Sequence, residues 1–393
     1  MNLSHRVLAG VLALILPAAA WAADLYTKRA NSQLREGPGA FYPVVANLPV
    51  NTKVKGLEEK ERWLRVQVGA QTGWLAAASL DEKRQSGAVE SMSKEWGDVR
   101  ASRGTVGAAV KGFAGRIKNV PSGALDDFAK RMVPIFTPDE FWAFRSPLVP
   151  FRTRTSIDTA QDREVNKLTY DVTPREFAVG MAVAARIASA GLVRDWALHK
   201  YVNLIAADLI SEAAFTEWGF GVYILDNPGV DSYAVPGGFI FLSRGAIESA
   251  RDEAELAGLI AHEVIHIVRR HGLREMKAQA VRLRADQAMD ELDQETGRDD
   301  VEDDMEEFAE EAFAVVHKPR LEKYEIEADQ IGTLLLRRAG YDPRGMARLL
   351  TRMSATHPEL NATPRVARIE RFAGGPSGTN LIDRFTAQTR RRR

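Results

Sequence analysis

The chain has 393 residues, 45% hydrophobic and 27% charged, and its 53 basic and 53 acidic side chains give a formal net charge of zero. That length accommodates one large domain plus a smaller one, and the balanced charge offers no general case for nucleic-acid binding. The absence of cysteine excludes disulfides, thiolate metal sites and a cysteine nucleophile.

The chain opens with MNLSHRVLAGVLALILPAAAWAAD. Arg6 precedes an apolar run from Val7 to Leu16, and small residues follow, with Ala20-Trp21-Ala22 fitting a cleavage site. Residues 1–22 therefore read as a secretory signal peptide with Ala23 as the new N-terminus. The alternative is an uncleaved anchor helix, for which the run is short. No later stretch holds 18 uncharged apolar residues. The mature chain is expected to have no transmembrane span and to work in solution in the periplasm.

Residues 23–80 alternate short strand-like runs, VVANLPV, RWLRVQV and GWLAAASL, with polar turns containing glycine. This pattern predicts a small all-β barrel. Arg29, Trp63 with its following strand, and Gly73-Trp74-Leu75 occur in an order that resembles a bacterial SH3-like domain. Such domains often bind cell-wall peptides or act as adaptors, so the resemblance implies cell-wall material or envelope proteins as partners. Trp63 and Trp74 are candidates either for the barrel core or for a ligand surface.

Prolines 121, 134, 138, 147 and 150 break residues 81–164 into short pieces, read as a linker and a partly helical connecting region. The run Arg152–Thr155 reads as solvated surface. From 165 the pattern is mainly helical. REFAVGMAVAARIASAG and HKYVNLIAADLISEAA repeat apolar residues at helical spacing. FGVYILDN and FIFLS read as strands, the second entered through a turn at Pro236-Gly237-Gly238. DEAELAGLIAHEVIHIVRRHG predicts a long helix capped by Asp252, with Glu255 as its reciprocal capping-box partner. Fourteen acidic residues between Asp286 and Glu311 read as a solvated helix face, a mobile loop or a cover over a site. YEIEADQIGTLLLRRAG predicts a helix stopped by Gly340. Residues 373–393 read as a basic tail.

His262-Glu263-Val264-Ile265-His266 fits H-E-x-x-H. Residues four apart on a helix share a face, so both imidazoles can reach one metal, with Glu263 beside them to hold a water. Ala257, Ile260, Ala261, Val264 and Val268 surround the motif with apolar positions, and buried imidazoles need partners. A catalytic zinc takes three protein ligands and keeps one position open. Glu325 is the choice for the third, with Asp329 one turn on to orient a ligand imidazole. Glu322 and Glu327 compete, although Glu327 should point away if Glu325 points in. A solvated helix face is the bland alternative for Glu325 and Asp329. His271, five residues past His266, reads as structural or as a support, not a ligand.

Four pieces in order resemble the M48 family of zinc metallopeptidases. They are Ala234-Val235-Pro236-Gly237-Gly238-Phe239, the motif helix EAELAGLIAHEVIHIVRRHG, the ExxAD run Glu325–Asp329, and Thr356-His357-Pro358. The resemblance covers roughly 165–372 and implies a mainly α zincin-like metallopeptidase domain with a small β-sheet, behind the SH3-like barrel. It implies Zn2+ on His262, His266 and Glu325, with Glu263 as base and Asp329 supporting. It further implies His357 and Arg365 as helpers of the oxyanion or as an inhibitory plug, with His357 also open as a fourth ligand or an ordinary packing residue and Arg365 as an ordinary surface residue. The stretch Asp231-Ser232-Tyr233-Ala234 departs from the family, which often has asparagine at the start of the strand-entry motif. Extended or unfolded polypeptides are the expected substrates. The competing class is a binding or chaperone-like protein that keeps the zinc fold without turnover and is targeted through its SH3-like domain.

Overall fold

A computed structural model describes residues 24–29, 32–85, 124–132, 135–152, 174–213, 220–279, 320–358 and 362–373, with isolated positions at 164, 165, 168, 170, 172, 313, 314 and 316. The signal peptide, the acidic run 286–311, the tail beyond 373 and most of the proposed linker lie outside the described residues.

The N-terminal region is all β. Strands β1 (Leu25–Thr27), β2 (Ser32–Arg35), β3 (Val44–Leu48), β4 (Lys53–Lys60), β5 (Trp63–Val68), β6 (Gln71–Ala76) and β7 (Leu80–Asp81) form one sheet in the order β3-β2-β6-β5-β4-β1-β7. Period-two alternation drives it. Along β5, Leu64 and Val66 turn inward while Arg65 and Gln67 face solvent. Leu25, Leu34, Leu48, Val54, Leu64, Val66, Leu75 and Leu80 make the core. Trp63 is buried beside Ala40 and Ala76, with the half-buried Trp74 packed on them, so Trp63 is a packing residue.

Two helices follow, α1 (Ala124–Arg131) and α2 (Pro138–Arg145). Thr137 caps α2 in a full capping box with Glu140, and Pro138 starts it. The segment read as a connector also supplies core. Phe136, Phe141, Phe144 and Leu148 join the main hydrophobic cluster, and Phe128 joins a second. The barrel docks here. Phe41, in the loop after β2, packs its ring at a tilt, with its centroid 4.3 Å from that of Phe141. Trp142 Nε1 donates to the Tyr42 hydroxyl at 2.8 Å.

Behind that contact lies an ion cluster. Arg145 pairs with Glu61 of the barrel, and with Asp208 and Glu212, at 2.8 Å in each case. Arg152 also meets Asp208 and Glu212. Asp208 is wholly buried, and burial raises its carboxyl pKa despite the two arginines. Breaking a buried pair by removing one partner leaves an uncompensated charge. Arg145→Ala is therefore expected to destabilise the protein by about 3–5 kcal/mol, measured as a lower midpoint in urea unfolding.

Among the described residues the remaining α-helices are α3 (Pro174–Ala188), α4 (Trp196–Ser211), α5 (Arg244–Ser249), α6 (Glu253–Val268), α7 (His271–Gln279), α8 (Glu322–Ala339), α9 (Gly345–Met353) and α10 (Ala362–Ala373). They enclose a three-stranded sheet of β8 (Gly221–Leu225), β9 (Ser232–Val235) and β10 (Phe239–Ser243), ordered β8-β10-β9. β10 runs parallel to β8 and antiparallel to β9, leaving β9 at the edge. β8 and β10 are apolar on both faces because both are covered. Val222, Ile224, Ile240 and Leu242 belong to the main cluster, while Tyr223, Phe239 and Phe241 belong to the second, with Val179, Val183 and Ile187 of α3.

All sixteen residues of α6 are buried. Asp252 caps it by accepting from the Glu255 N–H, as predicted, but the reciprocal bond is displaced by one residue. Glu255 accepts from the Arg251 N–H at 2.7 Å and from Arg352 of α9. Two glycines bring α6 and the start of α9 together backbone to backbone. A Cβ on Gly258 would lie 2.7 Å from the Met346 nitrogen, and one on Gly345 would lie 2.1 Å from the Ala254 oxygen. α8 ends at Gly340 in the left-handed region, φ 88°. No described helix is long and apolar enough to cross a membrane.

Candidate metal centre

α6 and α8 lie side by side and face each other with polar residues that the pattern of each helix places one turn apart. His262 and His266 come from α6, Glu325 and Asp329 from α8. The Nε2 atoms of the two histidines are 3.0 Å apart, and each is 3.4 Å from a different oxygen of Glu325. One donor atom from each of the three residues lies within 4.8 Å of the others, and this is the single such group among the described residues.

Each ring is held from behind. Asp329 Oδ1 sits 3.1 Å from His262 Nδ1. His271 Nδ1 is 2.9 Å from His266 Nδ1, and His271 Nε2 is 3.2 Å from Glu327. Burial pushes the His271 pKa down to about 2, and the neighbouring His266, Arg274 and Arg320 push the same way. A neutral His271 that donates to Glu327 accepts from His266 Nδ1–H, which leaves His266 Nε2 with its lone pair facing Glu325. His262, donating from Nδ1 to Asp329, presents Nε2 in the same direction. Glu327 also pairs with Arg269 at 2.9 Å and points away from this group, and Glu322 is exposed.

The charge pattern favours a cation. Burial lowers the His262 pKa, but the Glu325 and Asp329 carboxylates outweigh it and raise it to about 10. At His266 burial wins and the imidazole is lowered. Burial works against the charge on Glu325, yet His262, His266 and Arg365 together hold this carboxyl well below the ordinary range. Two buried imidazoles and one partly buried carboxylate, converging with supported tautomers, match the donor set of a three-ligand zinc site.

Arg365 of α10 is buried, not at the surface. Its Nε and Nη2 grip Asp329 at 2.8 and 2.7 Å, and its Nη1 lies 3.2 Å from Glu325. Its guanidinium is thereby committed to the two carboxylates of α8. His357, half-buried beyond the end of α9, is not one of the three grouped donors. Asp329→Ala would release the His262 ring and strand Arg365. Metal affinity is expected to fall about 10–100-fold, as read by competition with a chromogenic chelator.

Glu263 is buried and accepts a hydrogen bond from the Ser232 hydroxyl of β9 at 2.7 Å. This partner was not legible in the sequence, since 31 residues separate the two. On the same strand, the Ala234 carbonyl accepts from Arg320 Nη2 at 3.1 Å, and Arg320 is itself paired with Glu275 at 2.8 Å. Farther along, the turn that follows β9 is pinned. The Gly237 N–H donates to the Tyr170 hydroxyl, which donates to Glu176, and Glu176 pairs with Arg270 just after α6.

Residues 197–373 match the model of peptidase family M48, and residues 30–81 match that of the bacterial SH3 domain. Among curated relatives, a beta-barrel assembly-enhancing protease of Yersinia pestis is 26% identical over 200 residues, 49% of this chain and 40% of that protein. The beta-barrel assembly-enhancing protease of Escherichia coli (strain K12) is 26% identical over 188 residues, 44% of this chain and 38% of that protein. The mitochondrial metalloendopeptidase OMA1 of Schizosaccharomyces pombe is 26% identical over 161 residues, 41% and 45% of the two chains. The chain thus spans less than half the length of each of these relatives.

Proposed function

We propose that this chain, which carries a peptidase family M48 domain behind a bacterial SH3 domain, is a zinc-dependent endopeptidase of the periplasm that cleaves unfolded or extended envelope proteins. The observation that carries this reading is the convergence of His262 Nε2, His266 Nε2 and one Glu325 oxygen within 4.8 Å. Zinc held by these three would supply Lewis acidity, activating a water and polarising the scissile carbonyl.

The rest of the chemistry falls to the chain's own side chains. Glu263 takes a proton from the attacking water and passes it to the leaving amine. Asp329 keeps the His262 ring in orientation. Arg365, engaged with Asp329 and Glu325, keeps both carboxylates ionised and in place. His357 is assigned to the developing oxyanion.

Substrate selection follows from β9. Ser243 N–H donates to the Asp231 carbonyl at 2.9 Å, which sets the phase of the β9–β10 ladder. Tyr233 and Val235 then turn their backbone groups toward β10, while Ser232 and Ala234 turn theirs to the edge. An extended peptide can pair there through main chain alone, which favours unfolded segments over compact ones. Such a peptide would take over the Ala234 carbonyl from Arg320. The SH3 domain is proposed to contact wall or envelope components through faces other than the Phe41–Tyr42 loop, which is spent on α2.

The test is zinc analysis of the purified protein together with hydrolysis of a mixed library of unstructured peptides, read by mass spectrometry. Zinc at about one per chain with cleavage at internal bonds is the expected result for a single three-ligand site. A protein that takes up no metal after reconstitution would overturn the assignment.

A further inference from the structure

We propose that Ser232 is a positioning residue for the general base, holding Glu263 through one carboxylate oxygen so that the other is left for the water. The proposal rests on the endopeptidase reading above. Glu263 sits on a helix that is buried throughout its length, and the Ser232 hydroxyl reaches its Oε1 at 2.7 Å from a different element. That hydroxyl is well anchored. The residue before it, Asp231, accepts from the Ser243 N–H, donates to Ser243 Oγ at 2.9 Å, and accepts from Asn227 Nδ2 at 2.8 Å. The start of β9 is therefore fixed by three bonds to Ser243 and Asn227, and Ser232 delivers its hydroxyl from a rigid point.

The placement has a second consequence. The backbone of Ser232 and Ala234 faces the edge where an extended substrate would pair, while the Ser232 side chain faces the base. One strand thus aligns the substrate main chain and orients the carboxylate that acts on it. A chain seated along β9 rigidifies the element that holds Glu263, so binding and proton transfer share a support. Near-attack geometry depends on such positioning.

The experiment compares wild type, Ser232→Ala and Ser232→Thr in the metal-loaded, full-length protein. Ser232→Ala is expected to lower kcat about 10-fold or more, within the range for groups that support a metal site, with KM and metal content unchanged. Ser232→Thr keeps a hydroxyl and restores kcat. Crystal structures supply a readout free of activity, with the Glu263 side chain leaving its wild-type rotamer in Ser232→Ala. Unchanged kcat, or an unmoved Glu263, overturns the assignment of Ser232. Failure of wild type to bind metal or cleave peptides overturns the endopeptidase reading instead, and the position of Glu263 in the Ser232→Ala crystal still decides the role of Ser232.

Discussion

Glu263→Gln is expected to keep its metal and lose about 10²–10⁴ in kcat, the usual worth of a positioned acid–base group. The substitution is nearly isosteric, so the buried slot on α6 and the bond from Ser232 both survive. What is lost is basicity, since an amide cannot take a proton from water at neutral pH. Neither His262 nor His266 changes its support from Asp329 and His271, so metal content should match wild type. Turnover measured beside metal analysis separates this outcome from collapse of the site. A variant that cleaves peptides at the wild-type rate would remove Glu263 from the mechanism, and with it the peptidase reading of the motif.

Glu325→Ala acts on the other half of the chemistry. It removes the one carboxylate donor and leaves two imidazole nitrogens, one ligand short of a catalytic zinc site. It also leaves His262 and Arg365 with only Asp329 between them. Stoichiometric zinc binding is expected to be lost. A ligand that binds only the native state stabilises it in proportion to the logarithm of its concentration over Kd. Wild type should therefore melt at rising temperature as zinc is added, while Glu325→Ala should not respond. A zinc-dependent shift that persists in the variant would move the third ligand elsewhere.

Much of this arrangement was legible in the sequence because it obeys short-range rules. His262 and His266 are four apart, as are Glu325 and Asp329, and helical geometry alone places each pair on one face. The turn at Pro236-Gly237-Gly238 that leads into β10, the Asp252 cap and the Gly340 stop are likewise local signals. The contributions that escaped are long-range. Nothing in Phe136–Leu148 distinguishes a connector from core, because four apolar residues spaced among prolines bury themselves only when α4 and the barrel are in place. Ser232 looked like a departure from a family pattern, and its meaning depends on β9 lying against α6. Arg365 read equally well as surface, since a lone arginine gives no sign of the carboxylates that will meet it. The capping box failed by one residue for a tertiary reason: Arg352 draws Glu255 toward α9, and the Arg251 amide takes the place of the Asp252 amide.

The contact between the β2–β3 loop and α2 bears on how such a chain can change over generations. Phe41 and Tyr42 on one side answer to Phe141 and Trp142 on the other, and Glu61 answers to Arg145. A new side chain at any of these positions leaves its opposite number unmatched, so the two surfaces drift only in step. A module joined this way cannot be exchanged for a barrel of different specificity as a tethered one could. Its freedom to acquire new ligands is confined to loops away from the seam, while the seam inherits the slower pace of the interior.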